Sequence, residues 1–553
     1  MEKLISVTDY LLIRLEELGI KDILGVPGDF NLGIVEQIEH DSRFHFISDC
    51  NELNASYAAD GYARIHGISA LITTYGPGEL SAVNGIAGAY AERVPVLKIT
   101  GGIALAKQKQ KLPLHHTLLN GSYDQSLKIY EQITCTSGVV TFENPGVKID
   151  ELIEACYLYR QPVYIQLPQD VAKAMINPPG RKLNLQYPIK ADSNILVKRI
   201  KEYLDKSNKP VIIVGDLVRS YGLQGFVKQL LITSCIPFVV SWAVKGIIDE
   251  NLENYAGMYA GEFSLSVIQE FVESSDCILS LGMFNCEINH GEFTSRLDRK
   301  YLIDVQSDFI SIADEYYDSN FADIIMQLKD YNSPAGIREV KHNPHYTIDY
   351  SSLPSSQIEH DHLIYLLSEF LQDGDTLILE TGTMSFTAGY YKLPENVTVL
   401  SSVNWYSIGY ALGATTGVSL AKTSGRTILI TGDGALQMTA QALSAMLRYG
   451  LKPIILVINN DGYTIERAFL GKNSSYNDVQ AWNYLGLTAA FGGDAHLAKV
   501  ATPPELKSTL SQINSNSDKM WLVEVMMDKY KCPPALVKLA EIVANATTKL
   551  KNG

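Results

Sequence analysis

Thr427 to Glu466 reads TILITGDGALQMTAQALSAMLRYGLKPIILVINNDGYTIE. It opens on the apolar β-type run Thr427-Ile428-Leu429-Ile430. After Gly432-Asp433-Gly434, the residues Leu436, Ala440, Leu443 and Leu447 recur at helical spacing. Gly450 closes that helix, Pro453 to Ile458 is a second apolar run, and Asn459-Asn460-Asp461-Gly462 turns the chain again. One helix is expected between the loops. The order strand, loop, helix, strand, loop puts both loops at the carboxyl ends of parallel strands, where open α/β sheets bind ligands. The loops offer hard oxygen: the Asp433 carboxylate, the Asn460 amide oxygen and the Gly462 carbonyl, approachable because glycine has no Cβ. That set suits magnesium, which takes oxygen ligands and shares them with phosphate groups. A helix beginning near Ala435 aims its N–H groups at the same place, which favours a phosphate. Either loop alone is an ordinary turn; the pair at this spacing points to a metal-diphosphate site.

The alternation extends through the chain. Ser6 with Asp9 resembles a capping box, and Gly19 ends the helix it starts. Ile23 to Val26 reads as a strand that delivers Asp29 on the loop after Pro27-Gly28. Phe46 to Ser48 is a short strand, and Asn51 caps an alanine-rich helix with Glu52 in its first turn. Next come a strand over Ala70 to Thr74, the loop Gly76-Pro77-Gly78, one helix to Tyr90 and a strand over Pro95 to Thr100. Three doubly wound open-sheet α/β domains are expected, over residues 1–175, 194–335 and 357–553. Polar linkers are expected over about 177–193 and 331–357. The middle part carries strands such as Val211 to Val214 and Cys277 to Leu281 but no catalytic constellation, although Phe284 to Phe293 could reach a substrate pocket. In the third, the strand Thr376 to Leu379 runs into Glu380-Thr381-Gly382-Thr383, and an amphipathic helix over Ala535 to Lys551 reads as a mobile lid. The first and third domains look like two copies of one scheme.

Composition narrows the classes. A chain of 553 residues exceeds one core, and 46% hydrophobic with 19% charged residues is ordinary for a globular protein. The net charge of -15 argues against nucleic-acid and anionic-membrane partners. No apolar run has membrane-spanning length, and the beginning lacks a signal-peptide pattern, so a cytoplasmic location is expected. Seven cysteines without a CxxC pair fit reduced thiols. With no GxxxxGKS or GxxxxGKT loop, a generic nucleotide binder is disfavoured.

The loop pair resembles the diphosphate-binding motif of thiamine diphosphate enzymes. The ending Gly462-Tyr463-Thr464-Ile465-Glu466 is similar to that of the 2-oxo acid decarboxylases, the pyruvate and indolepyruvate decarboxylase family, as is NELNASYAADGYAR from Asn51 to Arg64. The resemblance implies non-oxidative decarboxylation of a small-molecule 2-oxo acid to an aldehyde and carbon dioxide. It implies thiamine diphosphate and Mg2+ as cofactors, with Asp433, Asn460 and Gly462 holding the metal. It further implies cofactor contacts from Thr381, Gly382, Thr383, Tyr406, Ser407, Ile408, Gly434, Ala435, Tyr463, Thr464 and Ile465. Ile408 would be the apolar wedge that bends the cofactor, and Tyr406 stands where many relatives have glycine.

Glu52, by itself a residue that complements the helix dipole, would bind the aminopyrimidine and promote its imino form. His115-His116, by itself an exposed pair or a metal-ligand candidate without zinc partners, would act with Asp29 and Glu466 in protonation and aldehyde release. In such relatives the first domain of one subunit and the third of another enclose each cofactor. A homo-oligomer is therefore implied, a dimer at least and commonly a tetramer. Substrate-pocket positions would be Thr381, Ser385, Ile465, Phe469 and Ile288. Ser385 and Ile288 leave room for branched, long or aromatic side chains, whereas Phe469 narrows it, so a pyruvate-preferring enzyme is the alternative. A carboligase of the acetohydroxyacid synthase kind and a non-catalytic cofactor-binding relic also remain.

Overall fold

The computed structural model describes residues 4–190, 192–334, 338–345, 353–354 and 356–552, and three large sheets follow one another along the chain. The first holds, in spatial order, His45–Ser48, Asp22–Gly25, Ser69–Thr74, Val96–Gly102, Val163–Pro168 and Thr136–Val139, all parallel. The third holds Thr398–Leu400, Thr376–Leu379, Thr427–Gly432, Ile454–Asn459, Trp521–Met526 and His496–Val500, again all parallel. Counted within itself, each runs second, first, third, fourth, sixth, fifth. The likeness expected between them is thus a shared topology. In both, the order reverses beside the first strand, which opens a crevice at the carboxyl ends of the first and third strands.

The middle sheet runs Tyr255–Tyr259, Phe238–Ser241, Pro210–Val214, Cys277–Leu281, Leu302–Val305, Phe309–Ile312 and Glu315–Asp318. Its last two strands are antiparallel, so a hairpin edge is added to the doubly wound pattern. Ser69–Thr74 and Val96–Gly102 are buried along their whole length, which is why they read as runs rather than alternations.

Two single helices expected from apolar spacing are each broken. Asp433–Thr439 and Ala442–Arg448 are separated by a turn in which Leu443 N–H bonds the Ala440 carbonyl and Ser444 N–H bonds the Gln441 carbonyl, three residues back. This is 3₁₀ geometry. Leu436, Ala440 and Leu443 stay in one core cluster across the break, so periodicity does not reveal it. Likewise Pro77–Ser81 and Val83–Ala91 part at Ala82. The expected caps are present: Ser6 and Asp9 form a reciprocal capping box, and the Asn51 side chain accepts from Asn54 N–H. Between Ile176 and Ser193 the described residues hold no helix or strand, while the second expected linker lies partly outside the described residues. The last helix is Pro534–Asn552, with Leu536 and Leu539 buried at its start.

The first and third parts meet through the helices Glu52–His66 and Tyr410–Ala421. Small residues let the backbones touch: a Cβ at Gly417 would stand 1.7 Å from the Ala58 carbonyl oxygen, and one at Gly61 2.2 Å from that of Ala414.

Candidate active site

The crevice of the third sheet holds a cavity of about 100 Å³. Thr381, Gly382 and Thr383 line it from the turn into the helix after the first strand, Asp433, Gly434 and Ala435 from the first turn of the helix Asp433–Thr439 after the third, and Asn460 with Gly462 to Glu466 from the turn and helix start after the fourth. Ile408 completes the wall.

Asp433 is buried, and its carboxylate accepts N–H bonds from Gly434 (2.7 Å), Gly462 (3.0 Å) and Asn460 (3.2 Å). Burial pushes it up to about 6 against the pull of those amides. One carboxylate thus ties the two loops together. The Asn460 amide nitrogen donates to Thr464 Oγ1 (2.9 Å), which leaves its oxygen as the end available to a ligand. Gly462 has φ +123° and no room for a side chain, since a Cβ would lie 2.0 Å from the Asn477 carbonyl oxygen. A Cβ at Gly434 would lie 2.6 Å from the Tyr463 ring.

Two residues that the sequence reading gave no role shape this cradle. Glu380 lines the cavity and is 2% exposed; its carboxyl group accepts from Thr381 (3.0 Å), Gly409 (3.2 Å) and Ala411 N–H (3.2 Å), and burial pushes it up to about 8. Arg467 is buried too and donates to the carbonyls of Asp461 (3.1 Å) and Asn477 (3.0 Å) and to Asp478 Oδ1 (2.6 Å), which staples the third loop. The sequence signal for Glu380 is an acid at the end of an apolar strand; for Arg467 there is none.

Tyr406 and Ser407 do not line the cavity. Ser407 Oγ lies 2.6 Å from the Tyr57 hydroxyl and accepts from Asn84 Nδ2 (3.0 Å). Tyr406 adopts φ +51°, a left-handed backbone held at some cost in strain, and its ring stacks on Phe386 at 6.4 Å.

The first sheet's crevice gathers the other group. His115 Nε2 lies 2.5 Å from Asp29 Oδ2, and His116 Nδ1 lies 3.5 Å from Asp29 Oδ1. Phe30 stacks on His115 at 5.2 Å and meets His116 edge-on at 5.6 Å, so the imidazoles are held as well as paired. Half-buried Glu52 stands against the Gly76–Gly78 loop, and burial raises its pKa while Lys98 opposes the rise. Within one chain, Glu466 reaches the cavity of the third sheet, whereas Asp29, Glu52, His115 and His116 do not line it.

The oxygen donors, the amide-held carboxylate and the two glycine positions that a Cβ would block fit a diphosphate with a divalent cation. Comparison with known proteins agrees. The family "Thiamine pyrophosphate enzyme" matches by its N-terminal TPP binding domain over residues 5–126, its central domain over 197–328 and its C-terminal TPP binding domain over 380–525. The chain is 37% identical to a pyruvate decarboxylase of Aspergillus fumigatus, covering 99% of this chain and 98% of that one. It is 34% identical to pyruvate decarboxylase isozyme 1 of Saccharomyces cerevisiae, covering 99% of each. The chain belongs to the thiamine diphosphate-dependent 2-oxo acid decarboxylase family. It is a carboxy-lyase with thiamine diphosphate as cofactor, and Mg2+ is the family's usual partner metal. Among the described residues, no helix is long and apolar enough to cross a membrane.

Proposed function

We propose that the chain decarboxylates a range of 2-oxo acids, taking branched, long-chain or aromatic side chains alongside pyruvate. The reading is carried by the modest bulk of Ser385 and Ile288, two positions that the family resemblance assigns to the substrate pocket, although neither lines the cavity of the third sheet. Ser385 is small, and its hydroxyl is turned away to the Gly382 carbonyl (2.8 Å). Ile288 is partly buried against the same extended core as Ile465, and the resemblance puts it where a large aromatic would narrow the pocket. A pyruvate preference is the second reading, favoured by Phe469 and by the names of the relatives. Catalytic efficiencies on pyruvate, 3-methyl-2-oxobutanoate, phenylpyruvate and indolepyruvate decide between them. The proposal expects the larger acids within about tenfold of pyruvate, since each methylene of fit discriminates modestly; turnover of pyruvate alone would overturn it.

In this reading Asp433, Asn460 and Gly462 hold the metal, and Thr381 to Thr383, Gly434, Ala435 and Tyr463 to Ile465 embrace the cofactor with Tyr406, Ser407 and Ile408. When bound, the cofactor accepts the electrons left as carbon dioxide departs, a charge that no side chain could hold. Glu52 holds a carboxylate at the pyrimidine end. Asp29, His115, His116 and Glu466 carry protons to the product carbon and away from its oxygen, as one coupled set. Residues 1–175 serve the pyrimidine, residues 357–553 the diphosphate, and residues 194–335 space them. Because the two groups face separate crevices of one chain, a complete site takes two chains, and a dimer or tetramer is the working form.

A further inference from the structure

Lys98 sits mid-strand in Val96–Gly102 between apolar neighbours and is fully buried. Its Nζ donates to Thr73 Oγ1 (2.7 Å), Thr100 Oγ1 (2.8 Å) and the Ile99 carbonyl (3.2 Å). The stacked rings of Tyr130 and Tyr164 lie 5.6 and 5.9 Å away. A methionine would fill the same space without the cost of burying an ammonium, so packing does not explain the charge.

Tyr164, whose ring lies against the ammonium, donates its hydroxyl to Glu79, and the charges of Glu79 and Glu52 both favour the protonated lysine. Glu79 is itself fully buried; it accepts from Gly76 N–H (2.8 Å) and the Tyr164 hydroxyl (2.7 Å), and the Tyr130 hydroxyl donates to its carbonyl (2.6 Å). The loop that Glu79 pins touches both groups assigned to the chemistry. A Cβ at Gly78 would stand 2.8 Å from Glu52 Oε1, and one at Gly76 2.2 Å from the His116 carbonyl oxygen.

We propose that Lys98 is a positioning residue whose buried positive charge is the counter-charge of the Glu52 carboxylate, with Glu79 holding the Gly76–Gly78 loop against Glu52. The inference rests on the reading of Glu52 as the cofactor-activating group. Burial raises Glu52, and its own backbone N–H and then Lys98 oppose that rise. Burial also lowers Lys98 to about 7, against the pull of Glu79 and Glu52, while the phenols of Tyr130 and Tyr164 are raised and stay neutral. The ammonium is therefore present on the acid side of neutrality, where Glu52 would otherwise take up a proton.

The test uses the full chain, with Lys98→Met and Glu52→Gln compared. In the wild type, the folded state sheds the Lys98 proton near pH 7 while the unfolded chain keeps it to about 10.5, so stability rises with pH across that window. The cofactor-free wild type should gain Tm on Lys98→Met as pH climbs through it. In Lys98→Met the acid limbs of kcat/KM and of thiamine diphosphate binding should move up by about one pH unit, with the plateau above the limb kept. Acid limbs that stay in place, or a loss uniform at every pH, would overturn the inference. If Lys98→Met does not fold, Thr100→Val removes one acceptor, lowers the lysine further and should move the limbs the same way; unmoved limbs there are equally fatal. Full turnover in Glu52→Gln sinks the Glu52 reading instead. Lost turnover in Glu52→Gln beside an unmoved limb in Lys98→Met sinks only the role of Lys98.

Discussion

Glu380 ends its strand with a carboxyl group turned into the cradle, where three backbone N–H groups meet it and water does not. Burial lifts it from 4.5 to about 8, so between those values the folded protein keeps a proton that the unfolded chain has lost. Stability contributed by this group therefore falls as pH rises through that window. In Glu380→Gln, whose amide oxygen still accepts, the fall disappears, and Tm measured from pH 5 to pH 8 on the cofactor-free protein should decline a few degrees less than in the wild type. That Asp433, Asn460 and Gly462 gather at one cavity was legible in the sequence because turn chemistry is local. Glu380 was not, because its meaning comes from Gly409 and Ala411, which only the fold brings to it. Arg467 shows the same limit: nothing in its neighbours along the chain marks it, yet it is buried and staples a loop through four acceptors.

At the scale of elements, the contact between Glu52–His66 and Tyr410–Ala421 depends on missing side chains. Gly417→Ala places a methyl group against the Ala58 carbonyl, and the helices must part. A loss of about 1–3 kcal/mol in denaturant unfolding is expected, the usual range for overpacking. A variant as stable as the wild type would mean that the helices slide freely. Strands and caps were readable because their signals, apolar runs and Ser6 or Asn51 before a helix, act over a few residues. The breaks at Ala82 and Ala440 were hidden because a 3₁₀ turn leaves the apolar side facing the core.

Over the whole molecule, the proposed pairing of crevices between chains makes a direct prediction. Glu52→Gln and Asp433→Asn each disable both sites of a homodimer, but a hybrid of the two holds one site with neither change. Unfolding and refolding an equal mixture forms hybrids as about half of the dimers, so about a quarter of wild-type activity should return. Sites confined to single chains would return none. The division into three sheets followed from alternation and linkers, whereas the hairpin edge of the middle sheet, Phe309–Ile312 with Glu315–Asp318, gave no signal that set it apart from parallel strands.

The shared strand order also dictates when each sheet can be finished during synthesis. In both, the fifth strand lies at the edge and hydrogen-bonds only to the sixth, which is made later and slots in beside the fourth. As the chain leaves the ribosome, Thr136–Val139 waits for Val163–Pro168, and His496–Val500 waits for Trp521–Met526. The first sheet can therefore close once Val163–Pro168 has emerged, before any strand of the other two is made. The third sheet stays incomplete until Trp521–Met526 emerges.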